Sequence, residues 1–423
     1  MTMEHAPPAI TRGQIFGVTL GNALEFYDFL VFSFFAVQIG QCFFPATNPQ
    51  SSLLLALATF GAGFLTRPIG AFVIGGLGDR IGRRPMMLLS FAMIGLSTLG
   101  VAITPSYAMI GVAAPVIVIL CRLVQGFALG GEVGTSTAFL AEAAPEAKRG
   151  RYISLQYAGQ GASTLLAGVI GVGLAAVMND AALSSWGWRI AMAIGAATVP
   201  VGLVLRRTLP ETLHEHVSAS KPPPLKSYAS VAVFAFLTML AATITTYVLN
   251  YMTTFAKSTL GMASGVALGA TVAIGLGNLI GSLLSGVLSD RYGRRPWMMG
   301  PMAVGAIGVM PGFWLLVTYP SATMLYTVSF LLRVILSVAV TTALIAVAES
   351  LPIRVRSGAL SVVYALAVSI FGGSTQFVIA WLTGVTGNPL APAWYMFGAA
   401  LLGVAAMAFA RETAPAKATL VQA

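Results

Sequence analysis

Gly75-Gly-Leu-Gly-Asp79-Arg80-Ile-Gly82-Arg83-Arg84-Pro85 returns 211 residues later as Gly286-Val-Leu-Ser-Asp290-Arg291-Tyr-Gly293-Arg294-Arg295-Pro296. A second pair shares the chain: Glu142-x2-Pro145-x3-Arg149 against Glu349-x2-Pro352-x3-Arg356. Ser154-x2-Tyr157 and Ser361-x2-Tyr364 follow these, and Arg122 and Arg333 also stand 211 residues apart. Four matched features at about half the chain length point to a duplicated unit. Working outward, 57% of the 423 residues are hydrophobic and only 9% are charged. A soluble domain averages about 25% charged residues. With a mean hydropathy of +0.86, this composition excludes a soluble enzyme, a disordered chain and a secreted disulfide scaffold. Two cysteines, Cys42 and Cys121, match no metal spacing and read as small apolar residues.

Apolar runs fall at about 15–44, 51–78, 85–104, 108–141, 151–178 and 188–206, then at 227–257, 262–289, 296–317, 321–350, 357–385 and 390–411. Each is long enough for a helix across the bilayer, which takes about 20 apolar residues. The short alternating strands of a membrane barrel are not seen. The first run is too long and too acidic for a signal peptide. Eighteen of the 23 basic residues sit in the N-terminal tail, alternate loops and the C-terminal tail. The positive-inside rule makes that face cytoplasmic, with both termini on it. A net charge of +10 is thereby explained by topology rather than by nucleic acid. The expected architecture is an all-α membrane protein of twelve transmembrane helices in two pseudo-symmetric six-helix bundles. Residues 1–14 form a cytoplasmic tail, 15–206 the first bundle, 207–226 a linker with Lys221-Pro-Pro-Pro-Leu-Lys226, 227–411 the second bundle and 412–423 a second tail.

These motifs resemble the major facilitator superfamily, whose markers are GxxxDRxGRR in the second and eighth loops and RxxQG, here Arg122-Leu-Val-Gln125-Gly126. More narrowly, the chain is similar to the metabolite:proton symporter family over nearly its whole length. The matching strings are Gly21-Asn22-x2-Glu25-Phe26-Tyr27-Asp28-Phe29, Arg67-Pro68-x-Gly70, Gly130-Gly131-Glu132, Trp186-Gly-Trp188-Arg189 and Phe371-Gly-Gly373. Gln156-x3-Gln160 resembles the citrate and tricarballylate carriers of that family. The resemblance implies proton-coupled symport of a small organic acid across a bacterial inner membrane, citrate- or dicarboxylate-like, by a protein functional as a monomer. The fifth span lacks the Gly-Pro pattern of the superfamily's drug antiporters. A zwitterion symporter for proline or betaine, a proton-driven exporter and an uncoupled facilitator are the alternatives. Only twelve residues follow Arg411, without the long coiled coil of the osmosensing members, which weighs against the osmolyte reading.

Of thirteen acids, Glu25, Asp28 and Glu132 lie inside spans, with Arg67, Arg122 and Arg333 as embedded cations. Each such ion costs about 2.5–3.5 kcal/mol at mid-bilayer on insertion scales, so each needs a partner or a wet cavity. Asn22, Glu25 and Asp28, spaced by three, share one arc of a helix. The simplest scheme pairs two acids with Arg67 and Arg122 and leaves one negative charge over. A carboxylate that alternates between an apolar setting and an arginine takes up and releases a proton. Asp28 is the first candidate for that role, with Arg122 its switchable partner, as sugar transporters of the superfamily place an Asp and an Arg. Glu132 is the rival, Glu25 the third, and a fixed ion-pair network the bland alternative.

Arg122 and Arg67 suit a carboxylate, which arginine grips through two parallel hydrogen bonds, although Pro68 suggests a helix bend at Arg67. Asn22, Gln156, Gln160, Tyr157, Tyr247, Asn250, Gln376 and Arg333 complete the candidate substrate contacts, with Asn278 and Tyr364 nearby in sequence pattern. Each also suits a plain interhelical hydrogen bond. Asp79, Arg80, Arg83, Glu142, Arg149, Asp290, Arg291, Arg294, Glu349 and Arg356 fall at the cytoplasmic mouth, where charge pairs close and break as a gate. The three histidines, His5, His214 and His216, lie in tails or loops, and no nucleophile, metal or cofactor motif appears.

Overall fold

With no water at membrane depth, every backbone N–H and C=O must find its partner within the chain, and long apolar runs satisfy this as helices. The computed structural model describes residues 12–81, 83–130, 132–207, 229–351 and 356–414, and these contain no strand. The first bundle holds α1 (Arg12–Phe34) with α2 (Ala36–Phe43), α3 (Pro49–Leu65) with α4 (Arg67–Ile81), α5 (Arg83–Ile103), α6 (Ala113–Leu129) with α7 (Glu132–Ala143), α8 (Arg149–Val177) and α9 (Trp188–Arg207). The second holds α10 (Ala229–Asn250) with α11 (Met252–Ser258), α12 (Ser264–Tyr292), α13 (Arg294–Thr318), α14 (Ala322–Ser350), α15 (Arg356–Ala367) with α16 (Gly373–Thr386), and α17 (Ala391–Ala408). Among the described residues, nine helices are long and apolar enough to cross a membrane, and Leu88–Ile103 and Ala113–Leu129 are shorter apolar helices. With α9, these make the twelve-helix membrane bundle that the apolar runs lead one to expect. The expected linker falls almost wholly outside the described residues.

Local signals set the helix ends. Asn48 caps α3 by accepting from Gln50 N at 2.9 Å, with Pro49 in the first turn. Gly293 opens α13 at φ +106°, a backbone region that a side chain would strain. The break expected at Pro68 falls at Thr66, whose hydroxyl donates to Leu123 O at 2.7 Å on α6.

Glycines decide how closely helices meet. A Cβ on Gly126 would lie 1.5 Å from Gly63 O, one on Gly130 2.1 Å from Arg67 O, and one on Gly70 1.8 Å from Phe127 O. The backbones of α3, α4 and α6 therefore touch along the stretch that carries Arg67 and Arg122. Between bundles, α8 and α12 do the same: a Cβ on Gly275 would meet Leu165 N at 2.2 Å, and one on Gly161 would meet Leu279 N at 2.6 Å.

The bundles also touch at both ends. At the loop end, where the repeated glycine-rich loops and the ends of α1 and α17 lie, Gly150 N and Arg151 N donate to Asp290 at 2.9 and 3.1 Å. At the far end, Gln50 Nε2 donates to Ala380 O at 2.8 Å, and Ser264 Oγ to Asp180 Oδ1 at 3.1 Å. Among the described residues, the bundles are thus in contact at both ends. The α3–α6 contact predicts that Gly126→Val lowers stability by about 1–3 kcal/mol or more through overpacking. Thermal unfolding in detergent checks this against Gly398→Ala, where a new Cβ meets nothing within 4 Å.

Candidate functional site

Because α3, α4 and α6 touch through their backbones, Arg67 and Arg122 enter the middle of the bundle side by side. Both are buried, at 5% and 1% exposure. The Arg67 guanidinium carbon lies 4.5 Å from the Phe29 ring centroid and 4.2 Å from that of Phe64. That of Arg122 lies 4.8 Å from Phe29, 4.5 Å from Phe32 and 5.3 Å from Phe60. Rings attract the flat face of a guanidinium, worth about 0.5–2 kcal/mol each, and leave its N–H edge open. On that edge, Nε and one terminal nitrogen of each arginine have no hydrogen-bond partner. An open planar edge is what a carboxylate takes in a two-point grip.

Asn22, Glu25 and Asp28 share a buried arc of α1, as the spacing implies. Asn22 is tied to a neighbouring helix, however: its Nδ2 donates to Gln156 O at 3.1 Å, and Gln156 Nε2 returns a bond to Asn22 Oδ1 at 3.0 Å. Ser136 Oγ donates to Gln156 Oε1 as well. Both residues thus tie α1 to α8. Room for the Asp28 carboxyl comes from Gly195 on α9, where a Cβ would sit 1.9 Å from Asp28 Oδ1. Asp28 and Arg122, expected as partners, form no direct ion pair, and two neutral side chains lie between them. Arg122 donates to Gln125 Oε1, and Gln125 Nε2 donates to Thr98 Oγ1 at 3.1 Å, beside an Asp28 carboxyl whose Oδ1 has no hydrogen-bond partner. The rings and Gln125 hold Arg122 back from a direct pair.

The second bundle faces this cluster with aromatic and polar groups. Tyr247 packs edge-on to Phe64 at 5.6 Å and near Phe60 at 6.2 Å. Arg333, buried on α14, carries an unpartnered Nε and lines a gap with Tyr157, Asn278 and Ser337 that holds no water-sized space. Asn278 Nδ2 donates to Tyr157 O at 3.3 Å, and its Oδ1 accepts from Ser337 at 2.8 Å. Gln160, buried on α8, keeps an unpartnered Nε2. Gln376 Oε1 accepts from Ser33 at 2.8 Å, its Nε2 has no partner, and neither does Asn250 Oδ1. Unsatisfied buried polar atoms from both bundles therefore lie near the interface.

At the loop end, Arg294 is the hub. It grips Glu349 at 2.9 and 3.1 Å, and donates to Asp290 and Ser289 at 2.8 Å each. Arg149 reaches only Glu146 at 3.9 Å, and Glu142 and Arg291 lie exposed outside this network among the described residues. The side chains of Asp79, Arg80, Arg83, Glu132 and Arg356 lie outside the described residues. Four further participants carry no signal in the sequence pattern: the N–H groups of Gly150 and Arg151, and Glu412 and Thr413. Glu412 accepts from Arg294 N at 2.8 Å and Arg295 N at 3.1 Å, capping α13, and Thr413 Oγ1 donates to Glu349 at 2.7 Å.

Residues 18–365 match the sequence profile of the Major Facilitator Superfamily. The chain is 36% identical to a citrate-proton symporter of Salmonella typhi, over 96% of each chain. It is 37% identical to an alpha-ketoglutarate permease of Escherichia coli, over 90% of this chain and 89% of that one. A proline/betaine transporter of Salmonella typhimurium is 32% identical over 95% and 84%. A solved proton:xylose symporter superposes with a TM-score of 0.75 at 19% identity, covering 94% of this chain and 95% of that one. The chain belongs to the Major Facilitator Superfamily.

Burial works to raise the Glu412 carboxyl, but N–H donors from Arg294, Ala414, Arg295 and Thr413 pull it below its ordinary value. A lowered folded-state value contributes stability at neutral pH that fades as pH falls through and below the ordinary glutamate range near about 4.3. Glu412→Gln is expected to lose about 0.3–1 kcal/mol at pH 7. Thermal unfolding across pH should show the gap between variant and wild type closing on acidification.

Proposed function

We propose that this chain is a proton-coupled symporter of a small organic di- or tricarboxylate, working by alternating access in the cell inner membrane. The observation that carries the reading is the set of buried guanidiniums, Arg67, Arg122 and Arg333, each with at least one N–H nitrogen that lacks a partner near the interface of the two bundles. A carboxylate supplies the acceptor that each open edge lacks, and one with two or three such groups bridges the bundles. A zwitterion offers a single carboxylate and brings a cation into a site already rich in them, so the osmolyte alternative fits less well. The citrate and 2-oxoglutarate carriers among the relatives support the same class.

The substrate enters when one end opens and meets Arg122 and Arg67 from the first bundle and Arg333 from the second. Gln160, Tyr157, Tyr247, Gln376 and Asn250 add hydrogen bonds around it. Asp28 takes the proton, with Glu132 and Glu25 the remaining candidates for that role. The rocking motion breaks one end while the other holds. The loop end, read as cytoplasmic with both termini and the 207–226 linker, opens by parting Asp290 from the N-terminus of α8. The far end opens by parting Gln50 from Ala380 O. The working unit is a monomer, and its partners are the acid, protons and lipid, without nucleic acid.

Asp28→Asn tests the assignment. In proteoliposomes it should lose uptake driven by an imposed pH gradient, by at least tenfold, yet retain exchange of labelled for unlabelled citrate or 2-oxoglutarate. Retained pH-driven uptake in a well-folded variant would place the proton elsewhere.

A further inference from the structure

A lysine can only donate, and a hydroxyl has a single proton to give. At the far end Lys257 Nζ donates to Ser264 Oγ at 2.8 Å, and Ser264 Oγ spends its own proton on Asp180 Oδ1 at 3.1 Å. Lys257 on α11 and Ser264 at the start of α12 belong to the second bundle, whereas Asp180 follows α8 in the first. The series therefore runs from a cation to a carboxylate across the seam, with a serine between them. Lys257 and Ser264 also line a gap of about 10 Å³ between the bundles, on the scale of a single water. Phe34, Val37 and Gln38 form its first-bundle wall, and Thr253 and Thr254 stand with the lysine on the other. Lys257 has three N–H donors and, among the described residues, hydrogen-bonds Ser264 alone. The other cation of this end, Arg189, is committed within its own bundle. It donates to Ala102 O and Thr104 O at 2.6 Å each, and its guanidinium carbon lies 4.3 Å from the Trp188 ring. Lys257 stands seven residues beyond Asn250, which is about 10 Å along a helix at 1.5 Å per residue. It thus lies on the way from the far end to the central site.

We propose that Lys257 is an outer docking residue for the substrate acid, and that Asp180 holds the substrate's place while the far end is shut. The inference rests on the carboxylate reading above and adds a second, transient site to it. When the bundles part at this end, Asp180 leaves with the first bundle, and Lys257 and Ser264 stay together on the second. The ammonium then lacks the anion on which its series ended. Thr254, whose hydroxyl reaches Ser33 O at 3.5 Å across the same seam, is freed by the same motion. An incoming di- or tricarboxylate supplies the missing anion: one carboxylate accepts from Lys257, Ser264 and Thr254, and the rest of the acid points inward. The acid then passes to the arginines, and closure returns the series to Asp180. The protein's own carboxylate and the substrate's compete for one cation. Asp180 therefore opposes outer binding for as long as it keeps the end closed.

The test is the external KM for labelled citrate and 2-oxoglutarate in right-side-out membrane vesicles holding the full chain. Lys257→Gln keeps a donor for Ser264 and removes the charge. It should raise KM about tenfold, the loss of one charged hydrogen bond, with the maximal rate within about twofold of wild type. Lys257→Met removes the donor as well and should raise KM at least as much, which covers the case in which one variant does not insert. Lys257→Arg restores the charge and should bring KM back to within about threefold of wild type. Asp180→Asn removes the competitor and should leave KM at or below the wild-type value. A series that only closes the end predicts a different pattern, because Lys257→Gln and Asp180→Asn would weaken it from its two ends and move KM the same way. Unchanged KM in Lys257→Gln and Lys257→Met, or a rise in Asp180→Asn equal to theirs, would overturn the docking role while leaving the symport reading standing. Absence of acid uptake by wild type would overturn both.

Discussion

Everything in the centre of this molecule follows from placing guanidinium groups in a membrane interior. Each costs about 2.5–3.5 kcal/mol on insertion scales, and Arg67, Arg122 and Arg333 are all buried. The first bundle offsets the cost without neutralising the charge. Phe29, Phe32, Phe60 and Phe64 cover guanidinium faces, and Gln125 takes one donor of Arg122. A direct ion pair would stabilise more, but it would occupy the edge that a substrate carboxylate needs. The glycines of α4 and α6 belong to the same arrangement, since only bare backbones bring the two arginines to one set of rings.

The two ends of the bundle are closed by different chemistry. At the loop end the closure is ionic: Asp290 accepts from the first N–H groups of α8, and Arg294 holds Asp290 and Glu349 together. Glu412 and Thr413 fasten the segment after α17 to the same cluster. At the far end the contacts between bundles include the neutral hydrogen bond of Gln50 to Ala380 O, beside the Ser264 to Asp180 contact. An ionic closure at a helix N-terminus is stronger and more sensitive to charge substitution than amide contacts. The α8–α12 seam brings backbone against backbone at Gly161 and Gly275.

The architecture was legible in the sequence because the signals are redundant: twelve apolar runs, a repeat at 211 residues and a one-sided distribution of cations all agree. The embedded charges were legible too, since an Asp or Arg amid twenty apolar residues stands out. What could not be read was which faces meet. Asn22 and Gln156 read as polar groups on separate spans, and only the fold shows them bonded to each other. Thr98 is one of many hydroxyls in apolar helices, and only its position opposite Asp28 distinguishes it. Gln125 stood within the RxxQG marker, yet nothing in the spacing said that its amide lies between Arg122 and Thr98. Glu412 follows the last span as a lone acid, and its role as a cap depends on α13 starting beside it. Pairings across elements far apart in sequence are set by packing, which periodicity does not encode.

The central claim is that a carboxylate on the arginine edges and a proton on Asp28 cross together. The most direct measurement sets a citrate gradient against an opposing pH gradient in proteoliposomes and finds the pH difference at which net flux stops. The account predicts a fixed balance point that moves in proportion to the logarithm of the citrate gradient. Net flux that follows the citrate gradient alone, indifferent to the imposed pH difference, would contradict it.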